Sequence, residues 1–371
     1  MPTIPSGSLN AAGGVTGTTP NIDSLDRNLI SPLAVNYVIG FEHQLPLRLV
    51  AGASYSGSKS YNGLTGSDVN RFPGSVVVTP ATGTTAASET FTRLNPNFGS
   101  IDYVTNANRA AYNAMILSLR GRAGARGSFQ ASYTLSHAKD FIESGTRFDQ
   151  DSDPATGQGY SVPDPSNYFG YYGDANYDVR QRFSFSGVYT IPGLKEGIGK
   201  IVTSGWELSS IIAVQSGTPF WVYNTNSADA PVDPGDYNLD GNNWDVPNTP
   251  TQNYTGSHSR STYINGVFGT PTATFQPWTV FPVPAAGTEG NEPRNIYRNP
   301  GYFQVDASLL KNNHLPWLGE QGNLQFRFDF INLFNHGNLG PVDDDMADGQ
   351  FGQVHTALAG RALQLGLRIA F

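Results

Sequence analysis

The feature that most restricts this chain is an alternation of period two that returns along most of its length. It is plainest at the end, in Leu363-Gln364-Leu365-Gly366-Leu367-Arg368-Ile369-Ala370-Phe371. Side chains on a strand point to opposite faces in turn, so Leu363, Leu365, Leu367, Ile369 and Phe371 share one face, and Gln364, Gly366, Arg368 and Ala370 the other. The same pattern groups Leu33, Val35, Tyr37, Ile39 and Phe41, then Leu47, Leu49, Ala51, Ala53 and Tyr55, then Phe129, Ala131, Tyr133 and Leu135. It continues through Phe183, Phe185, Gly187 and Tyr189, and through Trp206, Leu208, Ser210, Ile212 and Val214. Phe303, Val305, Ala307 and Leu309 follow, then Leu324, Phe326, Phe328 and Phe330. Tyr112–Arg120 is less clean, with apolar residues on both faces.

The second face decides the fold class. It carries Ser128, Gln130, Ser132, Thr134 and Ser136 in one segment and Gln325, Arg327 and Asp329 in another. Such side chains sit badly in a dry core and suit a water-filled lumen. Segments of about ten residues, apolar outside and polar inside, predict an all-β chain forming a transmembrane antiparallel β-barrel. Tyr37, Tyr55, Tyr133, Tyr189 and Trp206 fall near strand ends, where interfacial aromatic girdles belong. A soluble β-protein with one wet sheet face is the competing reading.

The connections agree with a barrel. Links at 42–46, 121–127, 190–205 and 311–323 are short or moderate; those at 57–110, 138–178, 216–300 and 333–360 are long, and the two kinds alternate. Strands that zigzag through a membrane place all short links on one side, the periplasm, and all long ones outside. Counting back from Phe371, the parity holds if residues 100–106 belong to an extracellular hairpin, which leaves about nine or ten spanning strands. Residues 1–30 read as an irregular extracellular segment ahead of the barrel portion at 31–371.

Composition narrows the function. Among 371 residues only 14% are charged and 38% hydrophobic, while Gly 42, Pro 25, Tyr 18 and Phe 21 favour strands and turns over helices. The absence of Cys excludes disulfides and thiolate metal sites. A net charge of −8 without a basic stripe argues against a nucleic-acid partner. No apolar run approaches the ~20 residues of a membrane helix, and the start lacks the basic and apolar regions of a signal peptide. The expectation is a chain that stays inside the cell or forms part of something longer.

Few motifs carry chemistry. The six His are scattered, with no His-x-x-His pair. Gly193–Ile201 superficially matches a phosphate loop, but the glycine spacing is one residue too long and Ile201 stands where a metal-binding hydroxyl is needed. No catalytic residue is assigned; Arg327 and Asp329 share the polar face and are expected to pair. The segment DYNLDGNNWD is a better candidate. Asp236, Asn238 and Asp240 alternate ahead of Gly241, as in the first half of a calcium loop, and Asp245 can stand in for the missing twelfth-position carboxylate. The alternative is an ordinary Asp/Asn/Gly turn in a long loop. Ca²⁺ at 236–245 is thus the one cofactor to consider.

Six stretches then occur in an order that resembles a known family. They begin at YNAMILSLRGRAGARG, NYDVRQRFSFSG, SGWELSSIIAVQSGTPFWV, RNPGYFQVDASLLKN, LQFRFDFINLFNHGN and FGQVHTALAGRALQLGLRIAF. Together, over about residues 30–371, they resemble the C-terminal barrel half of TonB-dependent outer-membrane receptors of the Oar-like type. The resemblance implies a barrel of about 22 strands around an N-terminal plug, uptake of a ligand and location in the outer membrane. It implies a TonB partner acting through an N-terminal box, and outer-membrane lipid around the wall. It also implies that Leu365, Leu367, Ile369 and Phe371 form the terminal signal read by the barrel assembly machinery. No plug and no energy-coupling box are visible, so the chain is expected to be the C-terminal portion of a larger barrel. A small outer-membrane barrel enzyme and a structural or adhesive surface protein are the alternative functions. The ligand stays open among siderophore, oligosaccharide and peptide.

Overall fold

The structure, a computed structural model, describes residues 19–79, 82, 88–141, 151–152, 159–160, 168–224, 235–241, 245–269, 276–320 and 322–371. The expected N-terminal segment at 1–30 therefore lies outside the described residues up to position 18. Beyond that point Ile22–Leu25 is a short strand running parallel to Ile101–Val104.

Nine long strands form one antiparallel meander. They are β1 (Leu33–Leu45), β2 (Leu49–Asp68), β3 (Ile101–Arg122), β4 (Gly127–Asp140), β5 (Gln181–Ile191), β6 (Trp206–Gln215), β7 (Tyr302–His314), β8 (Asn323–Ile331) and β9 (Ala362–Ala370). Each pairs with its neighbours in chain order, from β1 at one edge to β9 at the other. The alternation fixes the register, because a slip of one residue would turn every apolar side chain to the wet face. One row across seven strands is Phe41, Ala53, Leu117, Tyr133, Phe183, Val214 and Phe303. The row one residue away, on the other face, holds Ser118, Ser132, Ser184, Ala213 and Gln304. There the hydroxyls of Ser132 and Ser184 lie 2.8 Å apart. Near the last strands Leu309, Phe328 and Leu365 stand in register on the apolar face, and Arg327 Nε donates to Asp329 Oδ1 over 2.8 Å on the polar one.

The apolar face of the wall approaches the height of the apolar band of outer-membrane barrels, about 25 Å. On β6 it runs from Trp206 to Val214, eight residue steps or about 26 Å along the strand. At a tilt of about 40° that is roughly 20 Å along the membrane normal. Aromatics bound the band at both ends. Toward the long links, Tyr37 and Tyr55 stack at 6.1 Å and both hydroxyls donate to Asn113 Oδ1, at 2.9 and 2.7 Å. The Tyr37 ring lies over Gly57, where a Cβ would stand 2.3 Å from ring carbons, so only glycine admits this packing. At the opposite end Trp206 Nε1 donates to the Val202 carbonyl at 2.7 Å.

The links alternate in length as the sequence requires. The short ones cover 46–48, 123–126, 192–205 and 315–322; the long ones cover 69–100, 141–180, 216–301 and 332–361. The Gly-rich stretch at 193–201 is a turn followed by a six-residue helix, Ile198–Thr203, entered through Gly197 at φ 76°. Residues 101–106 are not a separate crossing. They are the outer end of β3, paired with the outer end of β2 between Thr65 and Asp68, and parity is kept. These two strands have 20 and 22 residues, about twice what crosses a membrane, and so project beyond it on the side of the long links.

Candidate functional site

The main apolar cluster of the described residues lies in the long links. Phe220, Val222, Tyr263, Val267, Phe268, Phe281, Tyr297, Val342, Met346, Phe351 and Val354 bury one another. They come from 216–301 and 332–361, so two long links fold as one cap. Phe268 sits at its centre, with ring centroids of Phe281, Tyr297 and Phe351 at 4.9, 5.1 and 5.1 Å. The helix Arg260–Asn265 supplies Tyr263, and Ser259 caps it by accepting from Thr262 N. Main-chain bonds join the two links: Val267 N donates to Gly352 O at 2.8 Å, Val354 N to Tyr263 O at 2.9 Å, and Met346 N to Tyr223 O at 2.9 Å.

A charged network bolts the cap to the barrel rim. Arg298, from the cap, places Nη2 2.6 Å from Asp174 Oδ2 and 3.1 Å from Asp178 Oδ2. Arg180 grips the same two carboxylates at 2.7 and 2.6 Å, and His137 on β4 reaches Asp174 Oδ1 at 2.8 Å. Asp178 Oδ1 also accepts from Ala138 N at 2.7 Å. Burial pushes the Asp174 carboxyl up, but hydrogen bonds from His137 and Arg180 and the charges of Arg180 and Arg298 outweigh it, leaving the group below its usual range. A second pair, Arg294 with Asp140, ties the cap to the end of β4 and is buried on both sides. Apart from His137, one of the six scattered histidines, none of these residues stands out in the sequence. Asp178 and Arg180 stand in the NYDVRQR stretch, but their partners are remote in the chain.

The four residues of the expected calcium loop come together. Asp236, Asn238, Asp240 and Asp245 are all buried, Asn238 and Asp245 completely. Asp240 N donates to Asp236 Oδ1 and Asn238 Oδ1, each at 2.9 Å, and Gly241 N donates to Asp236 Oδ2 at 2.8 Å. Asp245 folds back so that Oδ2 accepts from Asn238 N at 2.9 Å. A fifth residue, which sequence spacing could not find, is Glu289. Its Oε2 accepts from Asn238 Nδ2 at 3.0 Å and its Oε1 from Val246 N at 2.8 Å. Burial, reinforced by the Glu289 charge, pushes Asp245 well above its usual range; burial pushes Glu289 up to about 8. Farther along the cap, burial pushes Asp343 up to about 6 and Asp344 up to about 8.

The remaining sequence candidates stay apart. His258 bonds the Tyr254 carbonyl, His314 the Gly322 carbonyl and His336 the Asn338 side chain, each a local contact. On the polar face of the wall, toward the short links, an open groove of about 670 Å³ is lined by Arg48, Arg120, Arg122, Gln130 and Ser186 among others. Leu365, Leu367, Ile369 and Phe371 occupy the outer edge of the sheet. Among the described residues β9 pairs with β8 alone, and Phe371 is 91% exposed.

A family profile described as "Outer membrane beta barrel domain" matches residues 1–364. The chain belongs to that family. This barrel domain resides in the outer membrane, its apolar face against lipid and its long links, including the cap, on the extracellular side. No curated protein matches it. Among solved structures it is similar to the outer membrane transporter YddB from Escherichia coli, at 10% identity and a TM-score of 0.47, covering 94% of this chain and 34% of that one. It is similar to the FrpB iron transporter from Neisseria meningitidis at 12% identity and TM-score 0.40, covering 94% and 32%. For the siderophore receptor PiuA from Acinetobacter baumannii the values are 10%, 0.38, 90% and 28%. The chain spans about a third of the length of these structures.

Proposed function

We propose that this chain is the C-terminal wall and extracellular cap of a TonB-dependent receptor of the Oar-like type, which captures a ligand at the cap and passes it through the lumen. The observation that carries this reading is the cap itself. Two long links build their own aromatic core and are ion-paired to the rim, which is more order than a passive surface loop needs. The wall supports a larger barrel. Among the described residues β1 and β9 each have one neighbour in the meander, and a strand edge open to hydrocarbon leaves amides and carbonyls unpaired at several kcal/mol each. Closure of the sheet by further strands accords with this, and about 22 suffice to enclose a plug. On this reading the chain binds and conducts and does not catalyse; TonB drives release through a segment outside this wall, and the assembly machinery recognises β9 through Leu365, Leu367, Ile369 and Phe371.

The test is uptake by cells making the full-length protein, with labelled ferric siderophores, oligosaccharides and peptides offered in turn. At least one class should accumulate, and accumulation should stop when TonB is deleted or the proton gradient is collapsed. Equal accumulation with and without TonB, or none of any class, would reject the transport reading.

A further inference from the structure

We infer that the short link between β5 and β6 is a membrane anchor: its helix, Ile198–Thr203, lies along the periplasmic leaflet and inserts Ile198, Ile201 and Val202 among phospholipid acyl chains. The link is longer than its turn requires. β5 and β6 are still paired at Ile191 and Trp206, so roughly two to five residues would join them. The chain runs instead from 192 to 205 and builds a helix there. Ile198, Ile201 and Val202 stand at i, i+3 and i+4 on one face, with Lys200 on the opposite one. That apolar face touches little of the protein: Ile198 is 87% exposed, and Ile201 and Val202 are 66% each. Leu194 leans on the helix at Gly199, where a Cβ would stand 2.8 Å from its Cδ1, and is itself exposed. Six residues that include Gly199 and the β-branched Ile198, Ile201, Val202 and Thr203 have too little intrinsic helix stability to persist in water. The apolar face calls for a partner.

Continuity with the lipid-facing wall identifies that partner. Trp206 and Lys311 stand in register on the apolar face, at the end of the band nearest the short links. Both side chains hold the link. Trp206 Nε1 donates to Val202 O at 2.7 Å, and Lys311 Nζ donates to Ser204 O at 2.5 Å and to Asn313 Oδ1 at 2.8 Å. The Lys311 ammonium also lies 5.7 Å from the centroid of the Trp206 ring. Two outward side chains thus fasten the C-terminal end of the helix on the lipid side of the sheet and not over the lumen. An indole at the edge of the hydrocarbon marks the level of the headgroups, and the helix carbonyl that it bonds is at that level. The link also closes on itself, since Thr203 Oγ1 donates to Gly199 O at 2.7 Å and accepts from Leu194 N at 3.0 Å.

Phospholipid chemistry fits both faces of the helix. Helices with bulky aliphatic side chains on one side and Lys on the other lie at the boundary of headgroups and acyl chains, about 5–10 Å deep. Lys200, and Lys195 just ahead of the helix, can reach headgroup phosphates on their flexible stems; Glu196 is the one opposing charge in the link. The next short link, 315–322, follows β7 beside β6 and exposes Trp317, an aromatic of the kind that settles at the headgroup level. So short a helix would not hold a soluble protein on a membrane. Here the barrel already sits in the bilayer, and the anchor fixes the depth at which β5 and β6 end. The inference relies on the outer-membrane placement of the wall and not on uptake.

The experiment uses the full-length protein on a cysteine-free background, in nanodiscs of phosphatidylethanolamine and phosphatidylglycerol, with a nitroxide attached to Ile201→Cys or to Lys200→Cys. Oxygen, which concentrates among acyl chains, and a water-soluble nickel chelate, which does not, are the relaxing agents. The oxygen-to-nickel accessibility ratio at 201 should exceed that at 200 by roughly fivefold or more, as the boundary where such helices lie requires. In unlabelled protein, the double variant Ile198→Ser, Ile201→Ser should raise the rate at which a broad-specificity protease cuts within 192–205 by roughly tenfold or more, through the lost apolar burial. A heat-modifiable gel shift checks that each barrel is folded, and Val202→Cys, on the same face, replaces Ile201→Cys should that variant fail the check. Labels at 201 and 200 equally open to the chelate would leave the helix in water and overturn the anchor. A label at 201 closed to both agents would mean that a protein, such as a plug or a periplasmic partner, covers the face, and would overturn the lipid assignment. Unchanged cleavage in the double variant would overturn it as well. A protein whose helix lies in lipid but which imports nothing keeps the anchor and loses the transport reading.

Discussion

Replacing Phe268 by Ala should unlock the cap without unfolding the barrel. Phe268 is 2% exposed and touches the rings of Phe281, Tyr297 and Phe351 at about 5 Å, so nothing nearby can collapse into the space without giving up another ring contact. Truncation of such a ring costs about 3–5 kcal/mol from lost transfer energy and the residual cavity. At 1.4 kcal/mol per tenfold, the fraction of caps open at equilibrium rises roughly a hundred- to several-thousand-fold. The wall does not share this loss, because its strands are held by ladder hydrogen bonds and lipid rather than by the cap core. Phe326→Ala is the matched control: the same side chain on the lipid face of β8, 38% exposed and paired with Leu367. Native-state proteolysis reports the open fraction when opening and closing are fast relative to cleavage, and heat-modifiable gel mobility reports the barrel. The expected result is rapid cleavage within 216–301 and 332–361 for Phe268→Ala, with barrel mobility unchanged, and wild-type cleavage for Phe326→Ala. Loss of the barrel together with the cap would refute the reasoning, since it would make cap and wall one cooperative unit. Unchanged cleavage would refute it from the other side, by showing that the ring cluster contributes nothing.

Two further outcomes follow from the same structure. The cap should lose stability as pH rises from about 4 to 8, because Asp343, Asp344 and Glu289 have carboxyls raised to about 6, about 8 and about 8 in the fold, Asp245 is raised as well, and a proton favoured by the folded state is given up over that window. The double variant Asp343→Asn, Asp344→Asn should flatten part of this slope in a loop-cleavage assay, and a slope of the opposite sign would dismiss it. Deletion of Phe371 should lower the amount of folded barrel in the outer membrane far more than Phe328→Ala does, while what is inserted melts at nearly the wild-type temperature; equal insertion of the two would make Phe371 an ordinary edge residue.

The wall was legible in the sequence because period two is a local property. Phe183 and Ser184 declare their faces without reference to any partner, and the register then places Phe183 beside Tyr133 and Val214 as the alternation demands. β3 read poorly for an equally local reason: Ile116 stands on the polar face opposite Ser54 and Thr134, so its alternation is broken. Strand ends were misjudged where strands outrun the membrane. The outer halves of β2 and β3 leave hydrocarbon, lose the apolar-out constraint and come to look like loop.

The cap was not legible, and the reason is the distance over which its contacts act. Phe220, Phe268, Phe281, Tyr297 and Phe351 are scattered over 131 positions with no period to link them, and only the closed fold shows that they meet. The same holds for charge: Arg298 finds Asp178 across 120 residues, and Glu289 finds Asn238 across 51. The loop from Asp236 to Asp245 could be noticed because the backbone itself imposes its spacing, with Gly241 at φ 85° allowing the turn. What the backbone could not announce was the carboxylate from elsewhere. Placing Glu289 against Asn238 makes a local turn into a junction between two loop segments. No spacing in the chain announces such a junction, because the backbone between the two residues sets no period for it, and only the closed fold brings them into reach.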